Sequence, residues 1–302
     1  MKKVIITGAT SFIGIHLINK LIKNDYFIYC VVRKNTKKIG LLPVSEKIKI
    51  IHLDMEDYDK IHNVIEDNCD IFFNLAWNGT RGTNRDNEEM QKSNYINSIK
   101  AVKSVINMNC KIIVTAGSQA EYGVTNKVIT EETECLPLTQ YGKYKLKNYE
   151  ETYKICTEQN IRIYEPRFFS LYGENDYEET MIISTIKKML NNDECNFTEC
   201  NQNWSYLHVR DAVDGLLVLI DGNCESGIYN FAGKDTFELK EYILKMKRII
   251  NSNSKLNFGA IPYGKSGKVS FIPCIDKLIR CGWSPKVTFE EGIKGIVKSR
   301  EA

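Results

Sequence analysis

No run of about 18 apolar residues occurs in the 302-residue chain, so no membrane-spanning helix is expected. Charge of one sign is equally lacking. The 41 basic and 38 acidic residues leave a net +3, too balanced to argue for a nucleic-acid or membrane-surface partner. Ten cysteines are present, yet none forms Cys-x-x-Cys and none pairs with one of the four histidines at zinc spacing. Neither a metal site nor a disulfide framework is therefore indicated. The N-terminus runs from Met1-Lys2-Lys3 straight into Val4 to Gly8, without the longer apolar stretch and small-residue cleavage site of a leader. The expectation is a cytoplasmic protein with reduced thiols. With only 6 prolines, no Pro/Ser-rich linker and no internal repeat, nothing separates two consecutive domains.

What the chain does contain is alternation. Short apolar runs at 4–7, 27–32, 48–53, 71–76, 111–116 and 161–165 read as strands. Between them lie helical patterns at 12–22, 57–66, 88–108 and 141–159. Apolar strands separated by amphipathic helices predict an α/β fold with a doubly wound parallel sheet, covered on both faces. After Pro166 the pattern weakens. Helices are expected at 180–190, 211–220 and 239–250, and short strands at 204–209 and 228–231. The expected organisation is a main domain of 1–169 plus 208–233, interleaved with a smaller α+β lobe of 170–207 plus 234–302.

Between the first strand and first helix stands Gly8-Ala9-Thr10-Ser11-Phe12-Ile13-Gly14. A Gly-rich turn here presents backbone N–H groups and a helix N-terminus to a pyrophosphate. Gly8 would allow the tight turn and Gly14 the close approach of helix to sheet. Ser11 stands where related motifs often carry a third glycine. An ordinary strand-to-helix turn has the same spacing; the N-terminal strand–turn–helix context favours dinucleotide binding.

The second strand ends Val32-Arg33-Lys34, with Lys37 and Lys38 beyond, and carries no carboxylate. Arg33 suits an adenosine 2′-phosphate, so NADP(H) is favoured over NAD(H).

Tyr141 and Lys145 are four residues apart at the start of a helical pattern, hence on one face. They form the only Tyr-x-x-x-Lys among 16 tyrosines. An ammonium beside the phenol would lower its pKa and fit it to exchange a proton with a carbinol or carbonyl oxygen. Ser118 follows the fifth strand, at the end where ligands of open parallel sheets bind. Its hydroxyl could hold the reacting oxygen beside Tyr141. By itself Ser118 reads equally as a turn residue.

With these residues in view, the chain resembles the extended short-chain dehydrogenase/reductases, in the group of nucleotide-sugar epimerases, dehydratases and reductases. The resemblance rests on the Gly8–Gly14 turn, Asp54-Met55, Asn74-Leu75-Ala76, Asn94, Ser118 with Glu121-Tyr122-Gly123, Tyr141 with Lys145, and Pro166-Arg167 with Tyr172-Gly173. It continues through Trp204 to Asp211 and Gly282-Trp283-Ser284-Pro285. It implies a Rossmann-like cofactor domain and a substrate lobe. Asp54 and Met55 would flank the adenine; Leu75, Ala76 and Trp77 would line the dinucleotide. Lys145 would also bond the nicotinamide ribose, and Pro166 and Phe168 would lie near the nicotinamide. Ser118, Gln119 and Tyr141 would address the sugar of a nucleotide-linked substrate. A homodimer paired through the helices at 88–108 and 141–159 is also implied.

Dehydratases of this group carry an acidic pair after the Ser/Thr. Gln119 and Ala120 stand there, and neither is an acid or base at neutral pH. The remaining readings are reduction of a 4-keto-6-deoxyhexose and 4-epimerisation. The basic strand end tilts towards reduction, and so does the resemblance of the stretch from Ala116 to Gly123, and of the tail from Phe258 to Tyr263 with Gly282 to Pro285, to 4-keto-6-deoxyhexose reductases. A cofactor-binding sensor without catalysis is the reading of another class; retention of Ser118, Tyr141 and Lys145 weighs against it. Lys265, Lys268 and Arg280 are candidates for the substrate pyrophosphate.

Overall fold

The computed structural model describes residues 1–125, 127–264 and 267–301. The chain divides into two compact units.

The first comprises Met1–Gly123, Glu134–Phe168 and Leu216–Tyr229. Its strands are β1 (Lys3–Thr7), β2 (Phe27–Val32), β3 (Ile48–His52), β4 (Ile71–Asn74), β5 (Ile112–Thr115) and the two-residue β6 (Gly117–Ser118). Two further strands, Arg162–Phe168 and Gly227–Phe231, extend the same sheet. Val4, Ile5 and Ile6 are fully buried, as a strand covered on both faces requires. β1 pairs in parallel with β2 on one side and β4 on the other. The chain winds outward through β2 and β3, then crosses back to β4, β5 and Arg162–Phe168. The reversal of strand order between β1 and β4 opens a crevice at their C-terminal ends. Thr7 and Asn74 are partners in the register there. The Thr7 hydroxyl donates to Asn74 Oδ1 at 2.8 Å, and Asn74 Nδ2 donates to Ser98 Oγ at 2.6 Å.

The unit's helices include α1 (Phe12–Lys23), α2 (Ile61–Val64), α3 (Glu88–Ile106) and α4 (Gln140–Glu158). The helix expected at 57–66 is instead a 3₁₀ segment, Met55–Lys60, followed by the single turn α2. Met55, Tyr58 and Ile61 are buried at a spacing of three. Three residues per turn place them directly above one another on one face. The strand expected to stop at 165 continues through Pro166 to Phe168. β5 and β6 pair with its residues 162–164 and 167–168, and the break between them lies opposite Glu165 and Pro166. Proline, having no N–H, costs no ladder bond at that gap.

The second unit comprises Val124–Thr133, Phe169–Gly215 and Asn230–Ala302. Its core gathers Ile182, Ile186 and Met189 of the helix Met181–Leu190 with Ile243 and Met246 of Leu239–Ile250. Ile293 and Ile296 of Phe289–Glu301 complete it. These units divide the chain at other points than the expected lobes. Segment 124–133 joins the second unit, where Val128–Ile129 pairs with Ile272–Pro273 and Asn230 Nδ2 donates to the carbonyl of Ile129 at 3.1 Å. Residues 208–215 do so as well. Among the described residues no helix is long and apolar enough to cross a membrane. No group of three or more potential metal ligands occurs among them. None of the ten cysteines is joined in a disulfide.

Candidate active site

The turn after β1 is shaped by its two glycines. Gly8 has φ +69, a left-handed backbone that favours glycine, and a Cβ there would lie 2.8 Å from the amide nitrogen of Ala76. A Cβ on Gly14 would press within 2.7 Å of the Ala9 carbonyl oxygen. Ser11 takes the N-cap position of α1, and its hydroxyl accepts from Gly14 N–H at 3.1 Å. The Ser11 N–H is spent on the Gly8 carbonyl at 2.9 Å. Capping thus satisfies one first-turn donor and leaves those of Phe12 and Ile13 without an intrahelical acceptor. Phe12 is buried; Thr10 and Ile13 are half-buried.

At the ends of β2 and β3 the structure corrects one expectation. No carboxylate was foreseen at the end of β2, yet Asp54 reaches it from β3, accepting from Lys34 N–H at 3.1 Å. The Lys34 amine lies 3.2 Å from Asp57 and 3.9 Å from Asp54. Arg33 is exposed, as are Lys37 and Lys38. Met55 is buried and accepts a contact from Asn78 Nδ2 at 3.4 Å. Leu75, Ala76 and Trp77 are half-buried at the end of β4. Trp77 is held there by its indole N–H, which donates to Gln91 Oε1 at 2.7 Å.

Ser118, Tyr141 and Lys145 come together. α4 begins beside the turn that follows β6, and the Ser118 side chain stands close enough to the Tyr141 phenol to favour its ionised form. Thr139 caps α4 by accepting from Gly142 N–H at 3.1 Å. Ser118 is held by a reciprocal cap: its N–H donates to Glu121 Oε1 at 2.6 Å, and its Oγ accepts from Ala120 N–H at 3.2 Å. Tyr141 and Ser118 are each only 8% exposed. The Trp77 and Tyr141 rings meet edge to face at 6.4 Å. Ser118 is the register partner of Phe168, which is buried at the end of its strand, two residues beyond Pro166.

The expected electrostatics do not hold in this arrangement. Lys145 Nζ donates to the Ala116 carbonyl at 2.7 Å and stands over the Trp77 ring at 3.9 Å, but 6.0 Å from the centre of the Tyr141 ring. Burial pushes the Tyr141 phenol above its ordinary value, against the influence of the Ser118 side chain and the nearby Arg85. Burial likewise brings the Lys145 ammonium down to about 8, opposed by the charges of Glu121 and Glu165.

Those two carboxylates form a cluster that spacing alone did not reveal. Arg167 Nε lies 3.0 Å from Glu121 and 2.9 Å from Glu165, all three almost wholly buried. Burial raises both carboxyl groups, Glu165 strongly, while Arg167 holds them down. Gly117 admits the pair: a Cβ there would sit 2.7 Å from Glu165 Cγ and 3.0 Å from Arg167 Cγ. The sequence signal lay in the strand itself, where Glu165 and Arg167 are two apart and so share a face. Gln119 follows Ser118 with a buried Oε1 that has no hydrogen-bond partner. Of the pyrophosphate candidates, Lys268 and Arg280 are exposed in the second unit, and Lys265 lies outside the described residues.

A parallel sheet with a glycine turn at its switch point, and a Ser/Tyr/Lys set beyond its fifth strand, define a nucleotide-binding α/β protein of the dehydrogenase/reductase type. A model of the NAD dependent epimerase/dehydratase family matches residues 4–232, and the chain belongs to that family. It is similar to CDP-abequose synthase of Salmonella muenchen, 26% identical over 309 residues spanning 99% of this chain and 98% of that protein. UDP-glucose 4-epimerase from Thermotoga maritima, solved with UDP-glucose, has the same fold at a TM-score of 0.88 and 21% identity, covering 99% of this chain and 98% of that one. The complex of Thermus thermophilus UDP-glucose 4-epimerase with NAD also gives 0.88, at 15% identity over 99% of both chains.

Proposed function

We propose that the protein reduces a nucleotide-linked 4-keto-6-deoxyhexose at C4, using NADPH in preference to NADH. The observation that carries this reading is the Ser118 side chain set beside the Tyr141 phenol, next to positions 119 and 120 that hold no acid. That arrangement can orient a carbonyl and protonate it, and has no group to remove water from the sugar. The similarity to CDP-abequose synthase over nearly the whole of both chains is in keeping with it.

The residues present fit a dinucleotide. Gly8 and Gly14 keep side chains out of the turn, and the first-turn N–H groups of Phe12 and Ile13 suit a pyrophosphate. Asp54 and Met55 would flank the adenine; Leu75, Ala76, Trp77, Pro166 and Phe168 would line the remainder. Arg33, exposed at the end of β2, would take a 2′-phosphate. Asp54 and Asp57 engage Lys34 and leave Arg33 as the cation for that role. The bound nicotinamide supplies hydride to the carbonyl carbon. Ser118 holds the carbonyl oxygen, and Tyr141 gives it the phenolic proton. Lys145, fixed by the Ala116 carbonyl, would bond the nicotinamide ribose and place positive charge near the phenol. Gln119, with its free Oε1, would accept a sugar hydroxyl. Exposed Ile96 of α3 and Tyr153 of α4 support pairing of two copies through these helices, which sedimentation would test.

Mixing the protein with NADPH and a panel of nucleotide-linked 4-keto-6-deoxyhexoses tests the reaction. Stoichiometric cofactor oxidation, abolished in Tyr141→Phe, is expected. No oxidation with any keto sugar removes the reductase reading. The solved 4-epimerases of the same fold make interconversion of UDP-hexoses, without net cofactor use, the next assay.

A further inference from the structure

Tyr141 faces more positive charge than the Ser/Tyr/Lys set accounts for. Arg85 lies in the 3₁₀ turn Gly82–Asp86 ahead of α3, with its guanidinium carbon 4.7 Å from the centre of the Tyr141 ring. The turn is anchored from both ends. Gln91 is fully buried, and its Nε2 donates to the carbonyls of Gly79 at 3.0 Å and Asn84 at 2.9 Å. Gly79, with φ +67, folds this segment back against α3. Asp86 accepts from Gln140 N–H at 3.3 Å, tying the residue after Arg85 to the residue before Tyr141. Among the described residues the Arg85 guanidinium has no carboxylate partner.

Each element packed on the phenol contributes a group. Arg85 and Arg81 come from this turn, Trp77 from the end of β4, Ser118 and Glu121 from the turn after β6, and Lys145 from α4. Burial and Glu121 oppose ionisation, whereas the Ser118 side chain and the two arginines favour it. Arg85 precedes Arg81 in that effect, and Lys145 is turned towards Ala116.

We infer that Arg85 is a positioning residue for the reaction, acting through Tyr141: its guanidinium, set over the ring, stabilises the phenolate left when the phenol gives up its proton. The inference rests on Tyr141 as the proton donor of the proposed reduction. In that step the C–H bond of the reduced nicotinamide breaks and its electron pair forms the new C–H bond at the carbonyl carbon. The carbonyl π electrons move to oxygen, which takes the proton of the breaking Tyr141 O–H bond. The electron pair of that bond stays on the phenol oxygen, where the fixed guanidinium offsets it until solvent returns a proton. A planar guanidinium matches a ring face better than an ammonium, so arginine rather than lysine is the fitting residue here.

The test is a pH titration of the full chain labelled with carbon-13 at the tyrosine ζ position, with Tyr141→Phe assigning the resonance. Arg85→Gln is expected to move the ionisation of Tyr141 up by about one pH unit or more, the scale of losing an opposite charge within ~4–6 Å. Arg85→Lys is expected to restore part of the shift, and turnover should follow the same order with KM little changed. An unmoved ionisation in Arg85→Gln overturns the inference. So does equal behaviour of the Gln and Lys variants, or a wild-type phenol that stays protonated up to alkaline unfolding. The titration needs no substrate, so it stands apart from the reductase assay. A Tyr141→Phe enzyme with undiminished turnover would remove the proton-donor reading instead.

Discussion

Gly142 and Ala120 stand so close that any side chain on Gly142 would collide with the Ala120 carbonyl oxygen and come within 2.9 Å of Pro137 Cβ. This approach lets the first turn of α4 press on the turn that follows β6, and so brings Tyr141 to Ser118. Gly142→Ala must push the two apart. Turnover is expected to fall by about 10²-fold, the scale of a misplacement of ~1 Å at a reacting centre. The strain should cost about 1–3 kcal/mol of stability. Steady-state kinetics and denaturant melts check both, and wild-type turnover in a folded variant would dissolve the argument.

Arg167 offsets charge on two carboxyl groups that are buried from water. In Arg167→Met they are left buried with their mutual repulsion, at a cost of about 3–5 kcal/mol. The sign of the pH dependence follows from burial, which raises Glu165 well above its ordinary 4.5 and Glu121 above the same value. A carboxyl raised in the folded state favours folding while protonated, and that contribution is lost as pH rises through the folded value. The deficit of Arg167→Met should therefore shrink as the pH is lowered from neutral towards 4.5. A deficit that stays constant over that range, measured by urea melts, would refute this account.

Much of this site was legible before the structure, and the reasons are local. The Gly8–Gly14 turn and the Tyr141/Lys145 face depend on spacings of a few residues, which backbone geometry turns directly into positions. What escaped depends on pairing between distant segments. Asp54 reaches Lys34 because β3 lies beside β2. Glu121 meets Arg167 because β6 pairs with the strand Arg162–Phe168. The sign of the Tyr141 shift was misread because its decisive cause is burial, and four-residue spacing says nothing of solvent. The two-residue strands of the second unit carry too few residues for any period to show.

Arg33 offers a direct test of cofactor choice. With Lys34 engaged by Asp54 and Asp57, loss of the exposed guanidinium at the end of β2 should weaken binding of a 2′-phosphate selectively. Arg33→Ala is expected to raise KM for NADPH by about tenfold or more, equivalent to a charged hydrogen bond of ~1.5–3 kcal/mol. KM for NADH should be unchanged. Equal effects on both cofactors would mean that Arg33 contributes nothing to the discrimination.

Lys145 sets a pH limit on the site. Its ammonium, brought down by burial to about 8, persists below that value and is lost above it. Turnover that needs this charge should fall as pH rises through about 8, with the loss of one proton. Lys145→Arg keeps a cation that does not titrate in this range, so the surviving activity should show no fall near 8. Lys145→Met deletes both the charge and the bond to Ala116, and should lose turnover at every pH. The same depression has a consequence for stability. The unfolded lysine keeps its proton to about 10.5, so this group favours the folded chain increasingly as pH rises from about 8 towards that value. If the ammonium carries the activity, turnover and stability move in opposite directions through this window. A pH–rate profile recorded beside thermal melts separates that behaviour from alkaline unfolding, in which both would decline together.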